Sequence, residues 1–303
     1  MNSVRKVIVI IAVMIMIAML LLYWYFPSDP REFNFDLNSN SNFSEVNSSS
    51  NMQFYKDMRF PSERISYEIA EECTLQKKAE MLEAFRIMEN LTVLEFYHSN
   101  PGEINIVCDD KVRIEDNLFI AGEGGPANVS LGDLFSVIRN GHILLIRDSK
   151  CERPNVAIHE LLHVLGFDHS ENPNNIMYPI SKCKQVIGED TIDKINDLYS
   201  VPSLPDIALK KVSAELKGHL LDVNLTIQND GLKMSKSFKI GIYANEKLLE
   251  EMDVSEITVG GGRFITLTNI LVPQIKVNKL DFSIEGLGQE LSKENNKATL
   301  EMN

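Results

Sequence analysis

Eleven consecutive residues constrain this chain more than any others: His159-Glu160-Leu161-Leu162-His163-Val164-Leu165-Gly166-Phe167-Asp168-His169. On an α-helix, residues four apart share a face, so His159 and His163 can aim ring nitrogens at one point. Glu160 borders that face and can reach a water held by a metal ion without ligating the ion itself. Gly166 has no Cβ, so it can adopt a left-handed conformation and end the helix in a sharp turn. That turn returns His169 as a third ligand. Three imidazoles leave a tetrahedral zinc with one open position, as a catalytic site requires and a closed structural site does not. A single histidine on an apolar helix face is usually a core residue. Glycine and a third histidine at fixed offsets make that reading a poor account of the whole run.

The run from His159 to His169, with the downstream turn Asn175-Ile176-Met177-Tyr178-Pro179, resembles the metzincin zinc metalloendopeptidases. Within them it is most similar to the matrixins, because Ser170 directly follows the third histidine and Met177-Tyr178-Pro179 closes the turn. Further segments resemble parts of such a domain: Arg64 to Ile69 a first strand, Ala79 to Leu91 a first helix, Ile104 to Val107 a central strand, and Glu189 to Tyr199 a closing helix. The resemblance implies one catalytic zinc on His159, His163 and His169, with Glu160 as general base and then general acid in peptide hydrolysis. It also implies that Met177 forms an apolar floor beneath the metal and that Tyr178 and Pro179 help wall the pocket. An edge strand to pair with extended substrate is expected between Asn128 and Ile146.

The chain departs from the matrixin pattern in places. No cysteine precedes Ser62, and the segment before it is too short for a folded propeptide, so latency by a cysteine on the metal is not expected. His98, His142 and His219 each stand alone, which suits ordinary surface or core residues better than a second zinc site. Gly122-Glu123-Gly124-Gly125-Pro126 with Asp133 has a faint likeness to a calcium-binding loop; a flexible turn before an edge strand accounts for it equally well.

Before all this, Arg5 and Lys6 precede the apolar run Val7 to Phe26, which has the length of a membrane-crossing helix and ends in Tyr23-Trp24-Tyr25-Phe26. The run exceeds the usual signal-peptide core, and Pro27-Ser28-Asp29-Pro30 offers no small-residue cleavage site, so a retained anchor is expected. The basic pair places the N-terminus in the cytoplasm and everything after Phe26 outside the cell. The four cysteines, Cys73, Cys108, Cys151 and Cys183, all follow the run, as suits an oxidising compartment. Four cysteines permit three pairings, which sequence alone does not resolve. Cys73 with Cys108 and Cys151 with Cys183 is preferred, because the second pair would bracket the zinc motif and the methionine turn. Sequons at Asn42, Asn47, Asn90, Asn128 and Asn224 are compatible with an exposed glycosylated surface.

A net charge of -13 argues against nucleic-acid binding. The expected organisation is a cytoplasmic tip at 1–6, an anchor at 7–26, an Asn/Ser-rich disordered stalk at 27–58, a matrixin-like domain at 59–200, a proline-punctuated linker at 201–205 and a β domain at 206–303. In the last, Val223, Leu225 and Ile227 alternate with polar residues, then Asn229-Asp230-Gly231 offers a turn. The alternation recurs at Phe238, Ile240 and Ile242, at Ile265 and Leu267, at Leu280, Phe282 and Ile284, and at Ala298 and Leu300. About seven short strands in such a length suggest an immunoglobulin-like sandwich. Pro205-Asp206-Ile207, Ile227 to Gly231 and Glu294 to Ala298 resemble the cell-adhesion-related (CARDB) domains of microbial surface proteins, which implies a spacer or a contact surface for another surface protein.

The fold class expected is therefore α+β: a metzincin-like domain with a twisted mixed sheet and an active-site helix, then an all-β sandwich, behind an N-terminal transmembrane helix. The function expected is that of a membrane-anchored extracellular zinc endopeptidase acting on protein or peptide substrates. The rival is a non-enzymatic adhesion protein using its sandwich domain, against which the retained Glu160 argues.

Overall fold

The structure, a computed structural model, describes residues 9–11, 13–18, 20–21, 31–36, 52–109, 111, 114–115, 118–148 and 151–301. The described residues form two compact units: residues 52–206 with 230–234, and strand 31–36 with residues 207–229 and 235–301. Strands in chain order are β1 (Arg31–Asp36), β2 (Met58–Arg59), β3 (Arg64–Ile69), β4 (Glu95–His98), β5 (Ile104–Cys108), β6 (Ile114–Glu115), β7 (Leu118–Phe119), β8 (Gly122–Leu131) and β9 (Ser136–Leu145). Three helices, α1 (Leu75–Leu91), α2 (Asn155–Val164) and α3 (Glu189–Ser200), complete the first unit.

Its sheet has the order β2-β9-β5-β3-β4, with β8 added on β9. All these pairings are parallel except β8 with β9, which is antiparallel. β3 and β5 supply the buried Ile65, Ile104 and Ile106, and β9 adds Ile143 and Leu145. Thr74 caps α1 by accepting from the Lys77 N–H. The helix buries Met81, Ala84, Phe85 and Met88, an i, i+3, i+4, i+7 stripe, while Leu82 and Leu91 face solvent. Unlike α1, α2 is buried nearly all round: Ala157, Ile158, Leu161, Leu162 and Val164 pack in the core, and its polar residues Asn155, His159, Glu160 and His163 are buried too. The Arg59 guanidinium, 1% exposed, donates to the carbonyls of Leu198 and Val201 at the end of α3 and lies 4.3 Å over the Tyr199 ring.

The cysteines pair as Cys73–Cys108 and Cys151–Cys183. The first ties the start of α1 to the end of β5. The second ties the approach to α2 to the segment beyond the methionine turn.

The second unit holds β10 (Ile207–Lys217), β11 (Leu220–Asn229), β12 (Phe238–Ala244), β13 (Lys247–Val254), β14 (Gly262–Leu271), β15 (Lys279–Glu285) and β16 (Lys297–Glu301). They form two antiparallel four-stranded sheets, β1-β10-β11-β14 and β13-β12-β15-β16. Every second residue points inward: Leu221, Val223, Leu225 and Ile227 from one sheet meet Phe238, Ile240, Ile242, Leu280, Phe282 and Ile284 from the other.

Two expectations need correction. Part of the supposed stalk is structured: β1 runs antiparallel to β10, with Phe33 opposite Ala214 and Phe35 opposite Val212, and residues 52–58 pack in the first unit. The Arg31-Glu-Phe-Asn-Phe-Asp36 alternation is a short strand pattern set in polar surroundings. The β domain is not the continuous stretch 206–303, because residues 230–234 leave it for the first unit, where Asp230 and Leu232 donate to the carbonyls of Asp206 and Leu204 at 2.8 Å each. Gly231 permits this, since a Cβ there would lie 2.3 Å from the Asp206 nitrogen. Among the described residues, no helix is long and apolar enough to cross a membrane. Residues 9–11, 13–18 and 20–21 are helical, while the rest of the expected 7–26 span, and 27–30 and 37–51 of the expected stalk, lie outside the described residues.

Candidate metal centre

Among the described residues, one group of three or more His, Cys, Asp or Glu side chains could hold a metal ion: His159, His163 and His169, whose ligand atoms lie within 4.8 Å of one another. Helix α2 places the first two one turn apart. Gly166, at φ +95, then reverses the chain, and a Cβ there would also lie 2.7 Å from the Met58 side chain. The Phe167 N–H donates to Leu162 O at 3.0 Å and the Gly166 N–H to His163 O at 2.9 Å, closing the helix.

Carbonyls orient two of the rings. His159 Nδ1 donates to Ile176 O at 2.7 Å and His163 Nδ1 to Phe167 O at 2.8 Å; a carbonyl cannot donate, so both Nδ1 atoms carry the proton. Both Nε2 atoms are therefore bare acceptors, yet they sit 3.0 Å apart, and His169 Nε2 is 3.2 Å from that of His163. Convergent lone pairs repel unless a cation lies between them. Two nitrogens at ~2.0–2.1 Å from one tetrahedral ion are about 3.3 Å apart, so the donor set fits zinc. Burial lowers the affinity of both helix histidines for protons, pushing His163 down to about 4, with the His159 ring adding to the effect.

Glu160 is buried beside the triad. Burial pushes its carboxyl up to about 8, with the charge of Glu123 adding to the rise. A bound cation opposes that shift. Edge strand β8 passes directly over Glu160: a Cβ at Gly122 would lie 2.9 Å from Glu160 Cγ, and one at Gly124 would lie 2.4 Å from Glu160 O. The glycines are thus needed for close approach to α2. Among the described residues, no metal-binding group includes Asp133. The edge strand also begins at Gly122, earlier than the expected Asn128, and β9 is interior.

The methionine turn serves both helix and loop. Ile176 O holds His159, and Met177 O accepts from the Ser170 N–H at 2.8 Å. Asn175 Oδ1 fixes the turn by accepting from the Met177 N–H at 2.8 Å. Met177 is buried and shares a small cavity with His169 and Met52. The main cleft, of about 890 Å³, is lined by the triad, Glu160, Gly122 to Gly124 and Pro179 to Cys183. Tyr178 is not in that lining; Lys182 Nζ lies 5.9 Å over its ring.

Among the described residues, His98, His142 and His219 are not part of the metal-holding group: His98 packs edge-on to Tyr67, His142 pairs with Asn105, and His219 bonds to Val272 O. Sequence reasoning missed Phe54, whose ring stacks on His163 with centroids 5.7 Å apart and whose N–H donates to Gly166 O at 3.0 Å. Its aromatic character at the end of a polar stretch was the available signal.

Residues 59–200 match the family model "Matrixin". A stretch of 51 residues is 47% identical to human matrix metalloproteinase-15, covering 16% of this chain and 8% of that protein. Over 138 residues the chain is 28% identical to rat macrophage metalloelastase, covering 39% of this chain and 28% of the relative. The chain thus spans well under a third of the curated relatives it matches. A solved CARDB domain from Pyrococcus furiosus, described in complex with di-metal ions, aligns with 33% of this chain and 93% of its own length at 16% identity and a TM-score of 0.27. With the triad, the glycine turn and the methionine turn in place, residues 59–200 form a matrixin-like domain, joined in this chain to a β-rich one.

Proposed function

We propose that this protein is a zinc-dependent endopeptidase that cleaves extended polypeptide segments outside the cell, held at the membrane by residues 7–26. The observation that carries the reading is three imidazole nitrogens converging beside a buried glutamate, in a cleft bordered by an edge strand. Among the described strands β8 pairs only with β9, so its other edge offers backbone groups to an extended peptide.

His159, His163 and His169 are the ligands. When bound, zinc supplies Lewis acidity that makes water nucleophilic near neutral pH and polarises the scissile carbonyl. Glu160 takes the proton of the attacking water and delivers it to the leaving amine. Its burial raises its proton affinity, as suits a group that must hold a proton between the two transfers. Met177 packs beneath the ligands as an apolar floor, and Pro179 contributes to the cleft wall beside the scissile bond.

The cellular placement rests on Arg5 and Lys6 ahead of the apolar run, and on two disulfides, which persist in oxidising compartments. The β-rich domain serves as a spacer or a contact surface for a surface protein. The test is hydrolysis of casein or a peptide mixture by the full chain with Zn2+, with chelator, and as Glu160→Ala. Cleavage only in the first case is expected; equal cleavage by Glu160→Ala would overturn the mechanism. Protease shaving of intact cells should remove the catalytic domain, and its survival would overturn the placement.

A further inference from the structure

Strand β1 fixes where the chain enters the β-rich unit. It runs antiparallel to β10 with Arg31 opposite Leu216 and Asp36 opposite Lys211, so its first residue lies at the end of the unit where β10 stops at Lys217. Residues 27–30 separate Arg31 from Phe26, the last residue of the apolar run, and five residue steps reach at most ~18 Å. A ten-residue strand such as β11 is about 33 Å long, so this tether favours one end of the unit over the other.

The same end carries an apolar tip. Register places Leu220, which opens β11, against Leu271, which closes β14, and the two are 40% and 56% exposed. Ile275, in the loop that follows β14, is 95% exposed. That loop is tied on both sides: the Val272 N–H donates to His219 O at 2.8 Å, Asn245 Nδ2 donates to Lys276 O at 2.8 Å, and Val272 and Val277 are buried. A fixed backbone therefore holds the isoleucine out in solvent. Segments 217–220, 245–248 and 271–278 contain three exposed lysines, Lys217, Lys247 and Lys276, and one acid, Glu246. Lys217 is paired with Glu215 at 2.8 Å, so the surplus of cations is small and apolar burial outweighs charge in what this tip can bind.

We infer that this tip, Leu220, Leu271 and Ile275 with Lys247 and Lys276, is a membrane-contact surface that rests in the headgroup and acyl boundary of the bilayer holding residues 7–26. This rests on the membrane-anchor reading above, and it makes the C-terminal β-rich domain a juxtamembrane one. The aliphatic side chains leave water, while the lysine stems lie along them and their ammonium groups reach phosphates. The short tether makes docking intramolecular, so a tip too small to hold a free protein at a bilayer suffices here.

The test is depth quenching in the full chain, reconstituted in vesicles of phosphatidylcholine and phosphatidylglycerol with and without bromine on the upper acyl carbons. Trp24 is the single tryptophan, so the parent reports the anchor. In a Trp24→Phe background, Ile275→Trp reports the tip, and Phe264→Trp, at a site 71% exposed towards the other end of β14, is the control. Both sites face solvent, so neither replacement disturbs the core. Brominated lipid should quench Ile275→Trp about twofold, as for a side chain ~5–10 Å into the interface, and leave Phe264→Trp unchanged. An unquenched Ile275→Trp, whether its emission is that of water or is blue-shifted under another copy of the chain, overturns the inference, while a quenched Trp24 upholds the anchor. Equal quenching of Ile275→Trp and Phe264→Trp also overturns it, since no end of the unit is then selected. An unquenched Trp24 overturns the anchor and the inference together.

Discussion

His159 on helix α2 and Ile176 in the methionine turn are joined by a 2.7 Å hydrogen bond from Nδ1 to the backbone carbonyl. The turn therefore orients a ligand 17 residues earlier in the chain. Asn175 Oδ1 holds that turn through the Met177 N–H. Asn175→Ala should let the Ile176 carbonyl wander and weaken zinc affinity by about 10–100-fold, the usual effect of removing an outer-sphere partner. Competition with a zinc-sensitive fluorophore measures it; an unchanged affinity would show that the helix alone fixes the ring.

Glu160→Gln separates binding from chemistry. The amide is nearly isosteric and Glu160 is not among the three ligands, so zinc content by elemental analysis should stay at one per chain. Hydrolysis should fall by about 10²–10⁴, the range for a lost general base. Loss of zinc together with activity would make Glu160 a structural support of the ligands.

Much of this site was legible because its chemistry demands fixed spacings. His159, His163, Gly166 and His169 could be read directly, since a helix face and a left-handed turn leave few alternatives. Strand β3 and the start of α3 were also legible, through their resemblance to the corresponding segments of a matrixin domain. Phe54 was not, because its partner His163 is far along the chain and no local pattern encodes a stack. Gly122 and Gly124 were read as a loop because glycine marks where a side chain cannot go without naming what fills the space. The excursion of 230–234 was hidden for the same reason: Asn229-Asp230-Gly231 has the composition of a turn, and the carbonyls it meets at Leu204 and Asp206 carry no sequence signal.

Neighbouring glycines in β8 give a stability test of that packing. A Cβ at Gly124 meets the Glu160 backbone at 2.4 Å, whereas nothing lies within 4 Å of one at Gly125. Gly124→Ala should destabilise by about 1–3 kcal/mol, as overpacking does, because helix backbone cannot move aside like a flexible side chain. Gly125→Ala should stay within about 0.5 kcal/mol of the parent. Denaturant unfolding of the two variants decides it. Equal effects would mean that β8 does not lie against α2.

Chelation should destabilise the catalytic unit. A ligand that binds only the folded state adds RT ln(1 + [L]/Kd), about 4 kcal/mol at a thousandfold excess over Kd. Differential scanning calorimetry with and without chelator should therefore lower the Tm of one transition, and zinc should restore it. A Tm unmoved by chelator would mean that the three imidazoles hold no ion in solution.

The two disulfides close loops of similar length, with separations of 35 and 32 residues, so chain entropy alone predicts similar stabilisation, about 2–4 kcal/mol each. Their positions differ in what they hold. Cys73–Cys108 joins α1 to β5, away from the cleft, whereas Cys151 and Cys183 both line it and flank the Asn155 to Lys182 hydrogen bond. Replacing Cys151 and Cys183 by serine should therefore reduce kcat/KM at a temperature where both proteins are fully folded. Replacing Cys73 and Cys108 should lower Tm comparably with a smaller change in kcat/KM. The comparison cancels the shared entropic effect, so equal losses of kcat/KM would mean that the Cys151–Cys183 bridge stabilises the domain without shaping the cleft.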